Sequence, residues 1–230
     1  MSDFIVSSTY FGLVLSVLAY MIGLEVKKRL KLGIFNPLLI GIIVVICVLL
    51  LLKIDYETYN QGAKYLTYLL TPATICLAVP LYEKLEILKK DYKAIIVGIT
   101  TGIFTSFITV FIISKLFSLT YEQYITLIPK SITTAIGMDL STEFGGVRSL
   151  TAATITVTGV FGNVFAPKIL SFFKITNPVS KGLAIGTSAH ALGTSKAIEL
   201  GEVEGAISGL AIAVSGLITV VAVNLFAAVY

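Results

Sequence analysis

The sequence predicts an all-α integral membrane protein, a bundle of six or more spanning helices in which two segments are broken or re-entrant. Two properties of the chain lead to this fold class. Of its 230 residues, 56% are hydrophobic and only 13% are charged, whereas a soluble domain carries about 25% charged residues. Long runs without a charged residue fill most of the length, and only short loops separate them. We therefore expect residues 1–230 to form a single transmembrane domain.

Six apolar runs are the predicted spanning elements. Five contain no charged residue and are long enough, or nearly so, to cross about 30 Å of hydrocarbon. These five runs are residues 4–24, 32–52, 94–114, 149–167 and 205–230. The sixth, residues 65–82, contains Pro72 and Pro80, which predict a bent or broken helix. Basic residues follow the first run instead of preceding it, so we expect a retained helix there and not a signal peptide.

Basic residues in short loops mark the cytoplasmic side of a membrane protein. Two basic loops are therefore predicted to face the cytoplasm, which places the N-terminus outside. They contain Lys27, Lys28, Arg29 and Lys31, and Lys84, Lys89, Lys90 and Lys93. A third basic loop contains Lys168, Lys174 and Lys181. It lies on the same side only if residues 129–146 enter and leave the membrane from one face. The charges thus favour a re-entrant segment over the alternative, a broken crossing helix.

Two polar stretches that contain glycine interrupt the apolar sequence. They are residues 129–146 (PKSITTAIGMDLSTEFGG) and 182–201 (GLAIGTSAHALGTSKAIELG). Polar and ionisable groups persist at membrane depth where they are buried in protein or line a watery cavity. We therefore expect these stretches to meet at a central site through which a polar solute passes.

The first stretch is suited to binding a carboxylate. Pro129 favours the start of a helix, and a helix N-terminus offers unpaired N–H groups and partial positive charge. The predicted donors are Lys130, Ser131, Thr133 and Thr134. Asp139 and Glu143, four residues apart on one helical face, are candidate proton-coupling groups. The alternatives are that Lys130 reaches the lipid headgroups and that Glu143 only ends a helix before two glycines.

The second stretch carries two Gly-Thr-Ser sequences and the only histidine of the chain. We expect its hydroxyl groups and its lysine to contact the same solute. These residues are Thr187, Ser188, Thr194, Ser195 and Lys196. His190 is a candidate for both solute binding and proton coupling, because histidine titrates between about pH 5 and 8. Glu199 is a further proton-coupling candidate, with pairing to Lys196 as the alternative. Asn163, in a neighbouring apolar run, is expected to donate to the cavity or to an adjacent helix.

The chain also resembles itself after a shift of 57 residues, which places Pro72 on Pro129 and Gly102 on Gly159. The predicted repeat units are residues 65–120, 122–175 and 178–230. Each would be a polar, broken segment followed by one spanning helix. Units with one net crossing are inverted relative to one another, as in many secondary transporters. Coincidence is the alternative, because apolar sequence of low complexity aligns with itself easily.

Three segments of the chain resemble the LrgB/CidB family of bacterial membrane proteins. The most specific one is SAHALGTSKAIE (residues 188–199) with EVEGAIS (residues 202–208). The others are PKSITT (residues 129–134) and residues 152–162, which end in GVFG. The length and the helix layout also agree with this family over nearly the whole chain. Ala135 and Lys196 depart from it, since proline and arginine are common there, and Ala135 bears on where the helix breaks.

The resemblance implies two kinds of function. Family members are described as antiholin-like or holin-like regulators of murein hydrolase activity and autolysis that act beside a small LrgA/CidA-type membrane partner. Relatives are also described as carriers of small carboxylates: pyruvate in bacteria, and glycolate and glycerate in plastids. The polar segments favour a carrier of small monocarboxylates that works by alternating access, with a proton as the candidate coupling ion. An oligomer that only forms lesions has no need of such segments.

The remaining expectations concern the setting of the protein. The resemblance places it in the bacterial inner membrane, where we expect it to cross the lipid bilayer several times and to form a homo-oligomer, most simply a dimer. Nucleic acid is not an expected partner, because the lysines lie at helix ends. The sequence contains no metal-ligand cluster, Walker motif or dinucleotide fingerprint, so we expect no cofactor. It also lacks a recognisable catalytic carboxylate pair or activated serine, so we do not expect an enzyme.

Overall fold

The structure of the protein, a computed structural model, describes residues 8–30, 36–69 and 85–230, together with Pro72, Cys76 and Tyr82. All regular structure in these residues is helical, and it comprises nine α-helices and one 3₁₀ turn. The predicted all-α class is thereby confirmed. The chain forms two compact units, Met1–Cys76 and Leu77–Tyr230, and a single domain over residues 1–230 stays a prediction.

The first unit contains three helices. They are α1 (Phe11–Leu30), α2 (Pro37–Leu52) and α3 (Tyr56–Tyr68). Asn36 and Asp55 cap α2 and α3, because a side-chain oxygen of each accepts a backbone N–H of the first turn at 2.8 Å. α1 and α3 cross closely: a Cβ atom on Gly12 would lie 1.9 Å from the carbonyl oxygen of Tyr59. Glycine is therefore required at this crossing.

In the second unit, long helices alternate with short or interrupted ones. The elements are α4 (Leu85–Leu116), α5 (Tyr121–Leu127), a 3₁₀ turn (Ile128–Ser131), α6 (Thr134–Glu143), α7 (Arg148–Phe172), α8 (Pro178–Leu200) and α9 (Glu202–Val229). Ile132 and Thr133 are extended and separate the 3₁₀ turn from α6. α8 is broken at His190. Each polar stretch therefore contains an interrupted helix, while the re-entrant course of the first stretch stays a prediction.

Within the described residues, three helices are long and apolar enough to cross a membrane. They are Lys89–Leu116, Arg148–Phe172 and Glu202–Val229, and they contain three of the predicted runs. α2 is also apolar but has only 16 residues. The predicted run 65–82 lies largely outside the described residues, so a total of six or more spans stays a prediction.

In the second unit α8 and α9 form a closely packed hairpin, and the main apolar core lies between α4, α5 and α9. A Cβ atom on Gly186 would lie 2.5 Å from the carbonyl oxygen of Ser208, so the two backbones approach closely. The hydroxyl oxygens of Thr194 and Ser208 are 2.7 Å apart in the same interface. Apolar side chains of neighbouring elements complete the core. Fully buried ones include Ile99, Phe107, Tyr124, Ile128 and Ile207.

The order of elements in the second unit bears on the predicted repeats. Residues 122–175 and 178–230 each hold an interrupted helical segment followed by one candidate span. Residues 65–120 also end in a candidate span, but much of their first half lies outside the described residues. The repeat and its inversion stay predictions.

Candidate functional site

A cavity of about 840 Å³, whose lining includes hydroxyl groups and a lysine, lies between α4, the 3₁₀ turn and the first half of α8, within the second unit. The 3₁₀ turn contributes Lys130 and Ser131, and α8 contributes Thr187 and Ser188. α4 contributes small and hydroxyl side chains spaced three or four residues apart, the spacing of one helix face. The lining residues of α4 are Asp91, Ala94, Gly98, Thr101, Gly102, Thr105, Ser106 and Thr109. Lys130, Ser131, Thr187 and Ser188, which the sequence predicts to bind the solute, therefore share one cavity.

Two hydroxyl groups hold the ammonium group of Lys130. Its Nζ donates to Ser106 Oγ at 3.0 Å and to Ser131 Oγ at 3.1 Å, and the two hydroxyl oxygens are 3.3 Å apart. Among the described residues, no carboxylate forms an ion pair with Lys130. An ammonium group has three N–H donors, so one remains free. One of the two hydroxyl groups donates its proton to the other, and the second hydroxyl proton remains available to a solute. The cluster thus offers two donors and one positive charge.

The Lys130 cluster lies beside the middle of a candidate span. Its partner Ser106 is part of the candidate span Lys89–Leu116 and lies about 5 Å along the axis from the middle of that helix, at 1.5 Å per residue. The hydrocarbon core extends about 15 Å on either side of its midplane. A span centred in the bilayer would place the ammonium group well inside this layer, and its contacts with the two hydroxyl groups favour the cavity over the headgroups as its location.

Thr187 and Ser188 contribute oxygen atoms whose protons are already engaged. Thr187 Oγ1 donates to the carbonyl of Leu183 at 2.7 Å, and Ser188 Oγ donates to the carbonyl of Ala184 at 2.6 Å. Gly102 of α4 permits the close contact with α8, since a Cβ atom there would lie 3.1 Å from Thr187 Oγ1. In this arrangement both hydroxyl groups act as acceptors. They suit water or a protonated group better than a carboxylate.

His190 is not among the residues that line the cavity, and its ring lies at the break in α8. Its φ of 42° and ψ of −143° are unusual for a residue with a side chain, at a cost of about 1–3 kcal/mol. The residue is only 3% exposed, and its Nε2 lies 2.8 Å from the carbonyl oxygen of Ile155 in α7. Because a carbonyl only accepts, Nε2 carries the proton. Gly159 makes room for the ring: a Cβ atom there would lie 2.5 Å from Cε1.

Three more of the predicted residues satisfy backbone carbonyls at this break. Thr194 Oγ1 donates to the carbonyl of His190 at 3.1 Å. Asn163 Nδ2 and Ser195 Oγ both donate to the carbonyl of Leu192, at 2.6 and 2.8 Å. A helix end leaves carbonyl groups without partners inside the helix, and these side chains supply partners. The structure thus groups these residues with the break and not with the cavity.

Three of the predicted charged residues form ion pairs. Lys196 Nζ lies 2.6 Å from Glu199 Oε2, the alternative that their spacing allowed, and Arg148 lies 2.6 Å from Asp139. Glu143 is exposed at the end of α6. None of these residues lines the cavity. Their roles in proton coupling stay predictions.

Thr133 and Thr134 lie at the N-terminus of α6. Thr133 is the N-cap residue, and its side chain makes no capping hydrogen bond. Both residues are half-buried. They follow the Lys130 cluster closely in the chain but are not among the residues that line the cavity.

The polar face of α4 is not evident from the hydropathy of residues 94–114. Ser106 and the threonines lie in a run whose apolar residues predict only a spanning helix. The signal in the sequence is the recurrence of Thr101, Thr105 and Thr109 every four residues, which places them on one face. Asp91 is the acidic residue of the lining. It lies in a segment whose lysines suggest only a basic loop in the sequence.

Three helices that are long and apolar enough to cross a membrane, with a lysine in the cavity beside one of them, are typical of an α-helical membrane protein. Within the described residues, no group of three or more His, Cys, Asp or Glu side chains is placed to hold a metal ion. A model of the LrgB-like family matches residues 16–229, and the protein belongs to this family. The resemblance predicted from the sequence is thereby confirmed. No solved structure matches the chain.

Proposed function

We propose that the protein carries a small monocarboxylate, of the pyruvate and glycolate class, across the bacterial inner membrane. The observation that supports this most is the ammonium group of Lys130, which bonds to Ser106 near the middle of a candidate span and has no carboxylate partner among the described residues. A charge at that depth is costly unless it is paired. An anion is the partner that this site requires, and two donors match the two oxygens of one carboxylate.

The charges of the cavity favour one carboxylate over two. Lys130 and Asp91 are the charged residues of the lining. Asp91 lies fifteen residues before Ser106 in α4, about 22 Å along the helix axis, and its charge would repel a second carboxylate. Since a cavity of about 840 Å³ exceeds the volume of a three-carbon acid many times, water would fill the remainder. A small, hydrophilic monoanion fits this arrangement best.

The two interrupted helices support alternating access as the mechanism. Transporters commonly place substrate sites where discontinuous helices meet near the midplane. The extended residues Ile132 and Thr133 follow the Lys130 cluster directly, and the break at His190 follows Thr187 and Ser188. Both joints are therefore next to residues that line the cavity. We propose that a proton is the coupling ion. We also propose that the protein forms a homodimer and that its N-terminus lies outside the cell.

Uptake into liposomes that contain the purified protein tests this function. The initial uptake of labelled pyruvate and of labelled glycolate would be measured with and without an imposed pH gradient. We expect uptake to be saturable and to be blocked by excess unlabelled acid. An inward proton gradient should accelerate it, and Lys130→Met should abolish it at low substrate concentration. Lack of uptake of both acids under every gradient would contradict the carrier.

The rival function is antiholin-like regulation of murein hydrolase activity together with a small LrgA/CidA-type membrane partner. The same protein would then change autolysis in cells without moving either acid in liposomes. Lys130→Met separates the two functions as well, because a regulator that acts through a partner does not need a positive charge in this cavity. Cells that carry this variant would show unchanged autolysis if regulation is direct.

A further inference from the structure

We infer that His190 is a positioning residue: it anchors the break of α8 to α7 and thereby sets the orientation of the half-helix that brings Thr187 and Ser188 to the cavity. For its effect on uptake this inference rests on the proposed function. The geometric part concerns the protein alone and can be tested without transport.

The local sequence does not explain the break at His190. Ala189 and Ala191 flank the histidine and Leu192 follows, and alanine and leucine are among the best helix-forming residues. Neither glycine nor proline stands at the break itself. A sparsely populated backbone conformation persists only where the surrounding structure determines it. The cause must therefore be a tertiary contact.

Two glycines of α7 provide that contact. Gly159 and Gly162 lie three residues apart, on one face of the helix. A Cβ atom on Gly159 would lie 2.5 and 2.6 Å from the ring atoms Cε1 and Nε2 of His190, and one on Gly162 would lie 2.1 Å from the Cβ atom of Ala189. The hydrogen bond from Nε2 to the carbonyl of Ile155, at 2.8 Å, fixes the ring in this notch.

The anchor stands between two parts of α8 that both pack against α9, since Gly186 before it and Thr194 after it approach Ser208. Before it, Thr187 packs against Gly102 of α4 and lines the cavity. After it, Thr194 bonds to Ser208 of α9 at 2.7 Å. Releasing the ring would remove its contact with α7 at the break, so the first half would shift relative to the second within the limits that α4 and α9 set. Ser188, two residues before the anchor, would then change its exposure to the cavity.

The geometry distinguishes this role from proton transfer. The proton on Nε2 is engaged by Ile155 in α7, the ring is buried, and His190 is not among the lining residues of the cavity. A substitute that keeps an N–H donor at the same reach should therefore preserve function without being able to titrate. Glutamine is that substitute, since its amide nitrogen occupies a place similar to that of Nε2.

Cysteine labelling at Ser188 tests the inference. Exposed Cys47 and Cys76 would be replaced by serine, and Ser188→Cys would be labelled with a charged, water-soluble thiol reagent. We expect His190→Leu, and separately Gly159→Ala, to change the labelling rate by about tenfold, the effect of one lost buried hydrogen bond. His190→Gln should retain the rate. Thr142→Cys on α6, an exposed position that does not line the cavity, is the control, where all variants should be labelled alike.

A second variant guards against misfolding. His190→Asn keeps a donor that is too short to reach Ile155, so it should behave like His190→Leu; circular dichroism would check that each variant is folded. Unchanged labelling at Ser188→Cys in folded His190→Leu and His190→Asn would overturn the inference.

Uptake provides the remaining measurement. His190→Gln should keep both the uptake and its response to a pH gradient, whereas His190→Leu should raise the substrate concentration at half-saturation. If His190→Gln kept the labelling rate but lost the pH response, proton transfer would be the role and the inference would be wrong. A wild-type protein that moves neither acid would contradict the proposed function alone, because the labelling result would still stand.

Discussion

Lys130→Met is the substitution that most directly tests how the cavity binds its solute. Methionine keeps much of the length of lysine and removes the charge. In the altered protein Ser106 and Ser131, whose hydroxyl oxygens are already 3.3 Å apart, can bond to each other. No carboxylate among the described residues loses an ion pair. The substitution should therefore leave the free energy of unfolding unchanged or increased, since an ammonium group no longer has to be desolvated.

The expected loss of affinity follows from the donor count at Lys130. Two of the three ammonium protons are engaged by hydroxyl groups, which leaves one for the solute. One hydrogen bond to a charged group contributes about 1.5–3 kcal/mol, which corresponds to binding that is about ten- to 150-fold weaker. The half-saturation concentration for pyruvate or glycolate should rise by that factor.

Concentration-dependent uptake and thermal unfolding would be measured on the same preparations. The chain has no tryptophan, so unfolding is best followed by far-ultraviolet circular dichroism. Lys196→Met is the matched control: it removes the same functional group, whose partner is Glu199 at 2.6 Å. That pair is partly exposed and should contribute at most about 1 kcal/mol to stability, and its loss should not alter uptake.

Two results would refute this reasoning. A half-saturation concentration equal to that of the wild type would show that Lys130 does not contact the solute. A lower melting temperature together with lost uptake would show that Lys130 stabilises the fold and that the cavity is not a binding site.

Three further predictions concern stability. Gly186→Ala should lower the free energy of unfolding by about 1–3 kcal/mol through overpacking, because its Cβ atom would lie 2.5 Å from the carbonyl oxygen of Ser208; an unchanged thermal melt would contradict this contact. Hydrogen bonds from the backbone N–H and the hydroxyl of Thr58 hold the pKa of Asp55 below its usual value, so its stabilising effect is present above about pH 4 and is lost as the pH falls further. Asp55→Asn should therefore flatten the acid side of a plot of melting temperature against pH. Burial raises the pKa of Tyr124 to about 12. The stability that its neutral phenol confers should therefore be fully present below about pH 10 and lost as the pH rises towards 12. A titration followed by tyrosinate absorbance should show one tyrosine that ionises late, and Tyr124→Phe should lack it.

The class of the fold and three of its spans could be predicted because lipid permits few solutions. A long apolar run in hydrocarbon has to satisfy its own backbone groups, and a helix does so within one segment. The hydroxyl groups that face the cavity could not be predicted in the same way. Serine and threonine can bond to their own helix, as Thr109 Oγ1 does to the carbonyl of Thr105 at 2.7 Å. A hydroxyl in an apolar run is therefore tolerated on either face, and its presence does not reveal the position of Ser106.

His190 shows a second limit of sequence reasoning. A lone histidine at membrane depth suggests proton chemistry, because its usual pKa lies near neutrality. Its partner in the structure is a backbone carbonyl, at Ile155 of another helix, and every residue has such a carbonyl. No side-chain motif marks the contact. The ring of His190 requires a glycine at position 159, and this glycine is the one sign of the contact in the sequence.

The predicted repeat aligns Gly102 with Gly159, and both glycines contact α8 near its break. Gly102 of α4 faces Thr187, and Gly159 of α7 faces His190. An added Cβ atom would lie 3.1 Å from the nearest atom at Gly102, which a small shift relieves, but 2.5 Å at Gly159, against a ring fixed by a hydrogen bond. The contact of α8 with α7 is thus the closer one and includes a hydrogen bond, so we expect its contact with α4 to yield first. If α8 moves during transport, it should move against α4, which carries the serine bonded to Lys130, so that the same motion opens the cavity and alters the carboxylate site.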